Sequence, residues 1–326
     1  MRTTLVTGGA GFIGSHLVEA LLAAGQRVLV IDDLSTGAIS NLAAVKDHPQ
    51  LSVVVDTIFN ETRLAGMIDE ADEIYHLAAT VGVKLVLDEP LRTVATNVDP
   101  TESILRLVSL GHKPLFLAST SEVYGKSPKV PLAEDDDLVL GPTNKTRWIY
   151  ACTKALDEFI ALAHHQRSGL PVVIARFFNV VGPRQIGRYG MVLPRFVDQA
   201  LAGGPLEVYD DGTQVRCFGH VLDVVGGIIA LMSCREAIGK TFNLGSDKPV
   251  TIRALAEAVV AHVDPKIPIR HIPYSAAYSV AFEDIRCRVP DLRRARETIG
   301  YRPRLSLEDI IAEVVKWRRA QLAAAK

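Results

Sequence analysis

The feature that most constrains this chain is a glycine-rich segment near its start, TGGAGFIG, at residues 7–14. It continues from TTLVT, a run with strand composition, and it opens FIGSHLVEALLAAG, whose apolar residues recur at helical spacing. Gly8, Gly11 and Gly14 permit a tight turn and a close approach of the backbone to a bound group. Because the N–H groups of the following helix point at that group, the segment predicts a pyrophosphate site. A purely structural glycine turn is the alternative.

Strand-like and helix-like runs alternate along the first half of the chain. RVLVID, EIYHLAA, KPLFLAST and PVVIARF predict further strands, and helical patterns lie between them, notably at 97–110 and 149–167. Continuous apolar strands that alternate with helices are typical of a parallel sheet covered on both faces. Beyond residue 178 the pattern loosens and Gly, Pro and Arg become frequent. We predict an α/β fold, a Rossmann-type doubly wound parallel sheet with a smaller, interleaved C-terminal lobe.

An acidic residue at the end of the second predicted strand indicates which dinucleotide would bind. Asp32 ends VLVID, about 20 residues beyond the glycines, where a carboxylate accepts hydrogen bonds from the adenine ribose. A carboxylate repels a 2′-phosphate, and the following DLSTG contains no arginine, so the sequence favours NAD over NADP. Asp56, after LSVVV, is a candidate partner of the adenine amino group; a turn residue at a strand end is an equal alternative.

The expected NAD site extends along the carboxyl ends of the predicted strands. Its residues are Gly8, Gly11, Phe12, Ile13, Gly14, Asp32, Asp33, Ser35, Thr36, Gly37, Asp56, Thr57, Leu77, Ala78, Ala79, Asn97, Tyr150, Lys154 and Phe177. We therefore predict an NAD-binding domain at 1–178, to which 218–248 contributes. The substrate lobe is then formed by 179–217 and 249–326.

A tyrosine and a lysine on one helix suggest acid–base chemistry. YACTK places Tyr150 and Lys154 four residues apart, so both side chains share one helical face. Tyrosine has an unperturbed pKa near ~10, which a neighbouring ammonium and an oxidised nicotinamide ring would lower, giving a phenolate base. A chance pair on an amphipathic helix is the alternative. The glycine fingerprint and Thr120 at a strand end make the spacing more specific.

Together TGGAGFIG, Asp32, HLAA, Thr120 and Tyr150-x-x-x-Lys154 resemble the extended short-chain dehydrogenase/reductase family, whose members act on nucleotide sugars. RFFNVVGPR, VYDDGTQVRCF and CRVPD extend the resemblance over nearly the whole chain. It implies a catalytic triad of Thr120, Tyr150 and Lys154, and a homodimer joined by a helical bundle that includes 149–167. The implied substrate contacts are Val81, Thr120, Asn179, Arg195, Tyr209, Arg216 and Arg288. Arginine suits a diphosphate because it offers fixed, bidentate cationic donors.

The residues after Thr120 separate the reactions of this family. By the resemblance, 4,6-dehydratases have an Asp where this chain has Ser121, and 4-epimerases have small or neutral residues at positions 121 and 122. Thr-Ser-Glu, RWIYACTK and the Arg-x-Pro-Asp at Arg288 instead resemble the UDP-glucuronate decarboxylases. Oxidation at C4 puts a ketone β to the C6 carboxylate, and such an acid loses CO2 readily. We expect Glu122 and Arg288 to assist carboxylate departure and reprotonation, and Ser121 to orient the sugar.

The product and the reaction both leave alternatives open. Return of the hydride would give UDP-xylose, and early release of the ketone would give a UDP-4-keto-pentose. The loops ATVGVKLVLDEP and QIGRYGMVLPRF resemble those of epimerases, so a UDP-sugar 4-epimerase is the alternative function. A dTDP-glucose-type 4,6-dehydratase and a non-catalytic NAD-binding scaffold rank lower, because Ser121 is a poor acid and a scaffold should have lost Tyr150 or Lys154. Glu122 has its own alternative, as a buried carboxylate that caps nearby backbone.

Composition excludes several other classes of partner. The formal net charge is −1, so no charge excess points to nucleic acid or a membrane surface. The four cysteines form no disulfide or metal pattern, and we expect no metal site. No signal peptide or bilayer-length apolar run is visible, and we expect a cytoplasmic protein.

Overall fold

The computed structural model describes residues 1–187, 190–277 and 283–324. The strands are β1 Thr3–Thr7, β2 Arg27–Asp32, β3 Leu51–Val55, β4 Glu73–His76, β5 Leu115–Thr120, β6 Val172–Phe177, β7 Val180–Val181, β8 Leu206–Tyr209, β9 Val215–Cys217, β10 Gly219–His220, β11 Lys240–Leu244, β12 Pro249–Thr251, β13 Ile269–Ile272 and β14 Cys287–Arg288. The helices are α1 Phe12–Ala23, α2 Glu61–Glu70, α3 Val83–Asp88, α4 Pro90–Leu110, α5 Ile149–Ser168, α6 Val192–Leu201, α7 Val221–Met232, α8 Ile252–Val263, α9 Tyr274–Ala277, α10 Arg293–Ile299 and α11 Leu307–Ala324. Within these ranges no helix is both long and apolar enough to cross a membrane.

A seven-stranded parallel sheet forms the centre of the molecule, in the order β11-β6-β5-β4-β1-β2-β3. The chain runs outward from β1 to β3, then crosses back to β4 and continues in the opposite direction. The predicted α/β, doubly wound fold is therefore confirmed. Ligands of such sheets bind at the carboxyl ends of the strands where the order reverses, which here lies between β1 and β4.

Helices cover both faces of this sheet, as near-continuous apolar strands require. On one face Val6 and Val30 pack with α1 and α7 through Leu17 and Ile228. On the other face Leu5, Ile74 and Leu117 belong to a second core with residues of α2, α4 and α5. Burying one such side chain contributes roughly 1.5–3 kcal/mol, so the two cores fix the strand ends that carry the site.

The C-terminal half adds a smaller layer of short strands and helices. The pairs β7–β10 and β8–β13 and the three-stranded β12-β9-β14 sheet surround a core from α6, α8 and α11 that includes Phe196, Leu255 and Ile310. Between α6 and α8 of this layer, the chain returns to the large sheet as β11, beside β6. The smaller layer is therefore interleaved in sequence; the domain boundaries given above stay a prediction.

Two predicted elements have different ends in the structure. The strand predicted from EIYHLAA stops at His76, and the following Leu77–Ala79 leave the sheet to line a cavity. The helix predicted at 97–110 begins earlier, at Pro90, which has no N–H to lose at a first helical position.

Candidate active site

A cavity of about 520 Å³ opens at the carboxyl ends of β1, β4 and β5. Its volume lies within the ~300–1,000 Å³ typical of small-molecule sites. The glycine turn and the ends of β2 and β4 form one end of the wall, and residues from the smaller layer form the other. Tyr150 and Lys154 of α5 lie in the wall as well. The sheet and the smaller layer thus enclose one continuous site.

The glycine turn presents open backbone to this cavity. Gly8 has a φ of 73°, in the region that favours glycine, and the Gly11 amide donates to the Gly8 carbonyl over 3.1 Å. A Cβ on Gly14 would lie 2.1 Å from that same carbonyl oxygen. Helix α1 starts without a side-chain cap at Gly11 and without an acidic residue in its first turn. Its free N–H groups and positive end therefore fit a dinucleotide pyrophosphate.

Acidic and hydroxyl residues from the ends of β2 and β3 continue the wall. Asp32 is buried, and its carboxylate accepts from the Ala10 amide at 2.9 Å and from the Leu34 amide at 2.8 Å. These bonds fix the carboxylate beside the glycine turn, while Asp33 accepts from the Ser35 amide at 2.9 Å. The expected cofactor residues in the wall are Gly8, Gly11, Phe12, Ile13, Gly14, Asp32, Asp33, Ser35, Thr36, Thr57, Leu77, Ala78, Ala79, Tyr150, Lys154 and Phe177.

Three expected cofactor residues lie behind this wall. Gly37 packs against the glycine turn, where an added Cβ would lie 2.9 Å from the Ala10 carbonyl. Asp56 accepts from the Thr57 amide at 2.8 Å and from the Asn60 side chain at 2.8 Å. Asn97 is buried, and its side chain accepts from the Thr80 amide at 2.8 Å. In this structure all three support wall residues.

The end of β5 and the start of α5 bring Thr120, Tyr150 and Lys154 to one side of the cavity. Interaction with the Thr120 side chain lowers the pKa of Tyr150, which favours the phenolate. Burial, followed by the charge of Glu122, nevertheless raises the pKa of Tyr150 above its ordinary value. Lys154 is buried, and its amine donates to Asp157 at 2.8 Å. A base at Tyr150 therefore needs nearby positive charge to ionise near neutral pH.

Glu122 is held between two guanidinium groups. It lies in a short 3-10 turn, Ser121–Tyr124, that follows Thr120 directly. One carboxylate oxygen accepts from Arg147, and the other lies 3.4 Å from a terminal nitrogen of Arg288. Burial alone would raise the pKa of Glu122, but the Arg147 and Arg288 charges outweigh it and hold that pKa at about 2. Glu122 is therefore ionised at every physiological pH.

Arginines outnumber acids in this part of the wall. Within the described residues, Arg147, Arg216 and Arg288 face two carboxylates, Glu122 and Asp284, and Arg216 lies 3.2 Å from Asp284. Burial and the neighbouring Arg216 charge lower the pKa of Arg288 to about 9. Among the described residues, the buried Nε of Arg288 has no hydrogen-bond partner. The arrangement leaves one excess positive charge and one unused donor, which suit an anionic ligand group.

Ser121 and Asn179 have different surroundings. The Ser121 hydroxyl accepts from Arg288 at 3.3 Å, and Ser121 is buried behind the cavity wall. Asn179 lies in the wall and donates to the Cys217 carbonyl at 3.2 Å. Ser121 thus contacts an arginine of the cavity wall, while Asn179, which follows β6, is hydrogen-bonded to β9 of the smaller layer.

A second cationic group lies further along the cavity. The Arg195 guanidinium stacks on Tyr209, 3.9 Å from the ring centroid, and donates to the Glu207 carbonyl at 3.0 Å. Its other terminal nitrogen is buried and has no partner within the described part of the chain. All the expected substrate contacts lie in the wall, namely Val81, Thr120, Asn179, Arg195, Tyr209, Arg216 and Arg288.

Comparison with protein families identifies this architecture. A sequence model of the family described as GDP-mannose 4,6 dehydratase matches residues 5–314. The chain belongs to this family. It is a branch of the extended short-chain dehydrogenase/reductases, so the family predicted from the motifs is confirmed.

Several family members are similar over almost the full chain. UDP-N-acetyl-α-D-glucosaminuronate decarboxylase from Bacillus cytotoxicus is 38% identical over 323 residues, which is 98% of each chain. UDP-glucuronic acid decarboxylase 1 from Arabidopsis thaliana is 36% identical over 311 residues, 95% of this chain and 68% of the relative.

Solved structures of extended short-chain dehydrogenase/reductases have the same fold. A dTDP-glucose 4,6-dehydratase from Streptomyces venezuelae, with NAD bound, has a TM-score of 0.89 and 30% identity, and covers 99% of this chain and 98% of its own. UDP-glucuronic acid 4-epimerase from Bacillus cereus, in complex with NAD, has a TM-score of 0.85 and 26% identity, over 98% of this chain and 99% of its own. The fold therefore accommodates several reactions, and the site must distinguish them.

Sequence reasoning missed three charged residues of this extended short-chain dehydrogenase/reductase. Arg147 lies three positions before Tyr150 and Asp157 three positions after Lys154, so the spacing that revealed the Tyr–Lys pair could have revealed them. Asp284 pairs with Arg216 across 68 positions and had no local signal.

Proposed function

We propose that this chain is an NAD-dependent decarboxylase of UDP-hexuronates, with UDP-glucuronate as the expected substrate. One observation carries the proposal: the Arg288 guanidinium lies 3.4 Å from Glu122 in a wall with excess positive charge, and among the described residues its buried Nε has no hydrogen-bond partner. A C6 carboxylate would neutralise that charge beside Glu122. The similarity to curated decarboxylases at 38% and 36% identity supports the same reaction.

The residues present fit NAD as the cofactor. The glycine turn would hold its pyrophosphate, Asp32 its adenine ribose and Lys154 its nicotinamide ribose. When bound, NAD supplies reversible hydride acceptance at C4 of the sugar. Tyr150, oriented by Thr120, would take the O4 proton as the C4 ketone forms.

Decarboxylation then depends on the charges around the carboxylate. Arg288 would bind the C6 carboxylate of the 4-keto sugar through its unused Nε. As the C5–C6 bond breaks, CO2 leaves. The bonding electron pair stays on C5 and is delocalised into the C4 ketone as an enolate. Glu122, with a pKa of about 2, stays ionised, so it is suited to fixing Arg288 and repelling the carboxylate. The same low pKa makes Glu122 a poor proton donor to C5 at neutral pH.

The deciding experiment is mass spectrometry of sugar nucleotides after incubation with the protein and NAD. The substrates are UDP-glucuronate and UDP-N-acetylglucosaminuronate, with UDP-glucose, UDP-galactose and dTDP-glucose beside them. Loss of one CO2 from a hexuronate supports the proposal, and the redox level of the product shows whether the hydride returns. Arg288→Met should abolish CO2 loss. Arg270→Met, an exposed change on β13, is the control that should retain it.

A 4-epimerase is the second candidate, because UDP-glucuronic acid 4-epimerase from Bacillus cereus has the same fold and its substrate carries the same carboxylate. Arg288 alone therefore does not separate the two reactions. An unchanged mass with a new stereoisomer in the experiment above would contradict decarboxylation and establish epimerisation.

The assembly and location also belong to this proposal. We propose a cytoplasmic homodimer joined through the outer face of α5, where Phe159 is 66% and Leu156 is 43% exposed. Ala155, the residue before Leu156, is buried with Tyr124 and Phe178 and does not belong to that face. The four cysteines, all within the described residues, are free thiols, which supports a reducing compartment.

A further inference from the structure

A fully buried carboxylate, Asp157, lies one helical turn beyond Lys154 on α5. It accepts from the Lys154 amine at 2.8 Å, and both side chains are shielded from solvent. Its other carboxylate oxygen is buried and has no hydrogen-bond partner among the described residues. A buried charge persists only when it is paired, so Asp157 and Lys154 act as one unit.

Other charged groups around this pair already have partners. Glu158, the next residue, is held by Arg176 of β6 at 2.7 Å and by the Ser119 hydroxyl of β5. His76 of β4 is hydrogen-bonded through both ring nitrogens, and burial together with the Lys154 charge lowers its pKa to about 3, so it is neutral. Asp157 is therefore the counter-charge of Lys154.

The groups that face Tyr150 complete the electrostatic environment. Glu122 and Arg288 are the charges on its cavity side, and Asp157 also acts on it from α5. On α4, Asn97 donates to the Thr153 hydroxyl of α5 and Thr101 is hydrogen-bonded to His76, and both side chains are uncharged. Asp157 is thus a negative charge within α5 that, like Glu122, raises the pKa of Tyr150.

We propose that Asp157 is a positioning residue that holds the Lys154 ammonium in place and sets the pH at which Tyr150 ionises. The inference rests on the proposed function, in which Tyr150 takes a proton from O4 and returns it when the hydride returns. A base that does both works best with a pKa near the operating pH. Asp157 also acts on the tyrosine itself and raises the pKa of Tyr150, so removing its charge should lower the pH at which Tyr150 ionises.

The test is a tyrosinate absorbance titration of the protein with NAD bound and no sugar nucleotide. Subtracting the curve of the matching Tyr150→Phe protein isolates Tyr150 from the other tyrosines. Asp157→Asn, which keeps the shape and removes the charge, should lower the titration midpoint by about one pH unit, the size of one partly screened charge interaction. Asp99→Asn removes an exposed charge from α4 and should leave the midpoint near wild type.

Further variants keep the test decisive. Asp157→Glu restores the charge and should return the midpoint toward wild type; if Asp157→Asn does not fold, Asp157→Ser replaces it. The proposal is overturned if the titration midpoint of Asp157→Asn equals that of the Asp99→Asn control, or lies at a higher pH. The titration needs no substrate, so failure to release CO2 would overturn the decarboxylase alone.

Discussion

The chemistry depends first on one hydroxyl group, that of Tyr150. We expect Tyr150→Phe to lower turnover by roughly 10²–10⁴-fold, the usual contribution of a general base, while NAD binding is unchanged because the ring remains. Turnover by mass spectrometry and an NAD binding titration check both parts. Tyr75→Phe removes a buried hydroxyl from the sheet core and should keep turnover. Retained activity in Tyr150→Phe would contradict its role as the base.

Glu122 gives a second prediction at the residue scale, on how the stability of the fold depends on pH. Its pKa in the folded state is about 2, below the ordinary 4.5, so its ionisation stabilises the fold above about pH 4.5 and the effect is lost as pH falls toward 2. Glu122→Gln removes the carboxylate charge that opposes the buried charges of Arg147 and Arg288, which should cost about 3–5 kcal/mol near neutral pH. Denaturant unfolding of both proteins from pH 6 to pH 3 should show that the difference in their free energy of unfolding becomes smaller.

The control for that prediction is a pair at the surface. Glu61 contacts Arg106 with both side chains about half exposed, so Glu61→Gln should cost less than about 1 kcal/mol. A stability gap for Glu122→Gln that stays constant down to pH 3 would show that Glu122 is not ionised in the folded protein.

At the scale of elements, the first turn of α1 tolerates no side chain at position 14. A Cβ at Gly14 would lie 2.1 Å from the Gly8 carbonyl oxygen, which is backbone and cannot move aside. We expect Gly14→Ala to lose NAD binding by displacing the turn. Gly66→Ala, within α2, meets nothing within 4 Å and should stabilise the protein by roughly 0.5–1 kcal/mol. Calorimetric NAD titration and thermal unfolding test the pair; normal NAD affinity in Gly14→Ala would contradict the assigned pyrophosphate site.

Elements also show what the sequence can predict. The glycine turn, β1 and α1 are contiguous, and each is specified by local pattern, so their arrangement follows from the residues themselves. The pairing of Glu122 with Arg288 joins positions 166 apart and depends on how the smaller layer closes over the sheet. The positions of Asn97 and Asp56 behind the wall likewise depend on side-chain direction, which sequence spacing does not determine.

For the whole molecule, the exposed face of α5 predicts the assembly. A helix face with Phe159 66% exposed and Leu156 beside it leaves apolar area that a second copy would bury. Phe159→Glu would place a charge at the centre of that contact, and sedimentation should then show a monomer of 35.4 kDa in place of the proposed dimer. Leu222→Glu changes an apolar residue on α7 that is 53% exposed, outside the proposed contact, and should remain dimeric. Because α5 also carries Tyr150 and Lys154, loss of the dimer should lower the thermal stability of the site; a wild-type monomer at micromolar concentration would contradict this assembly.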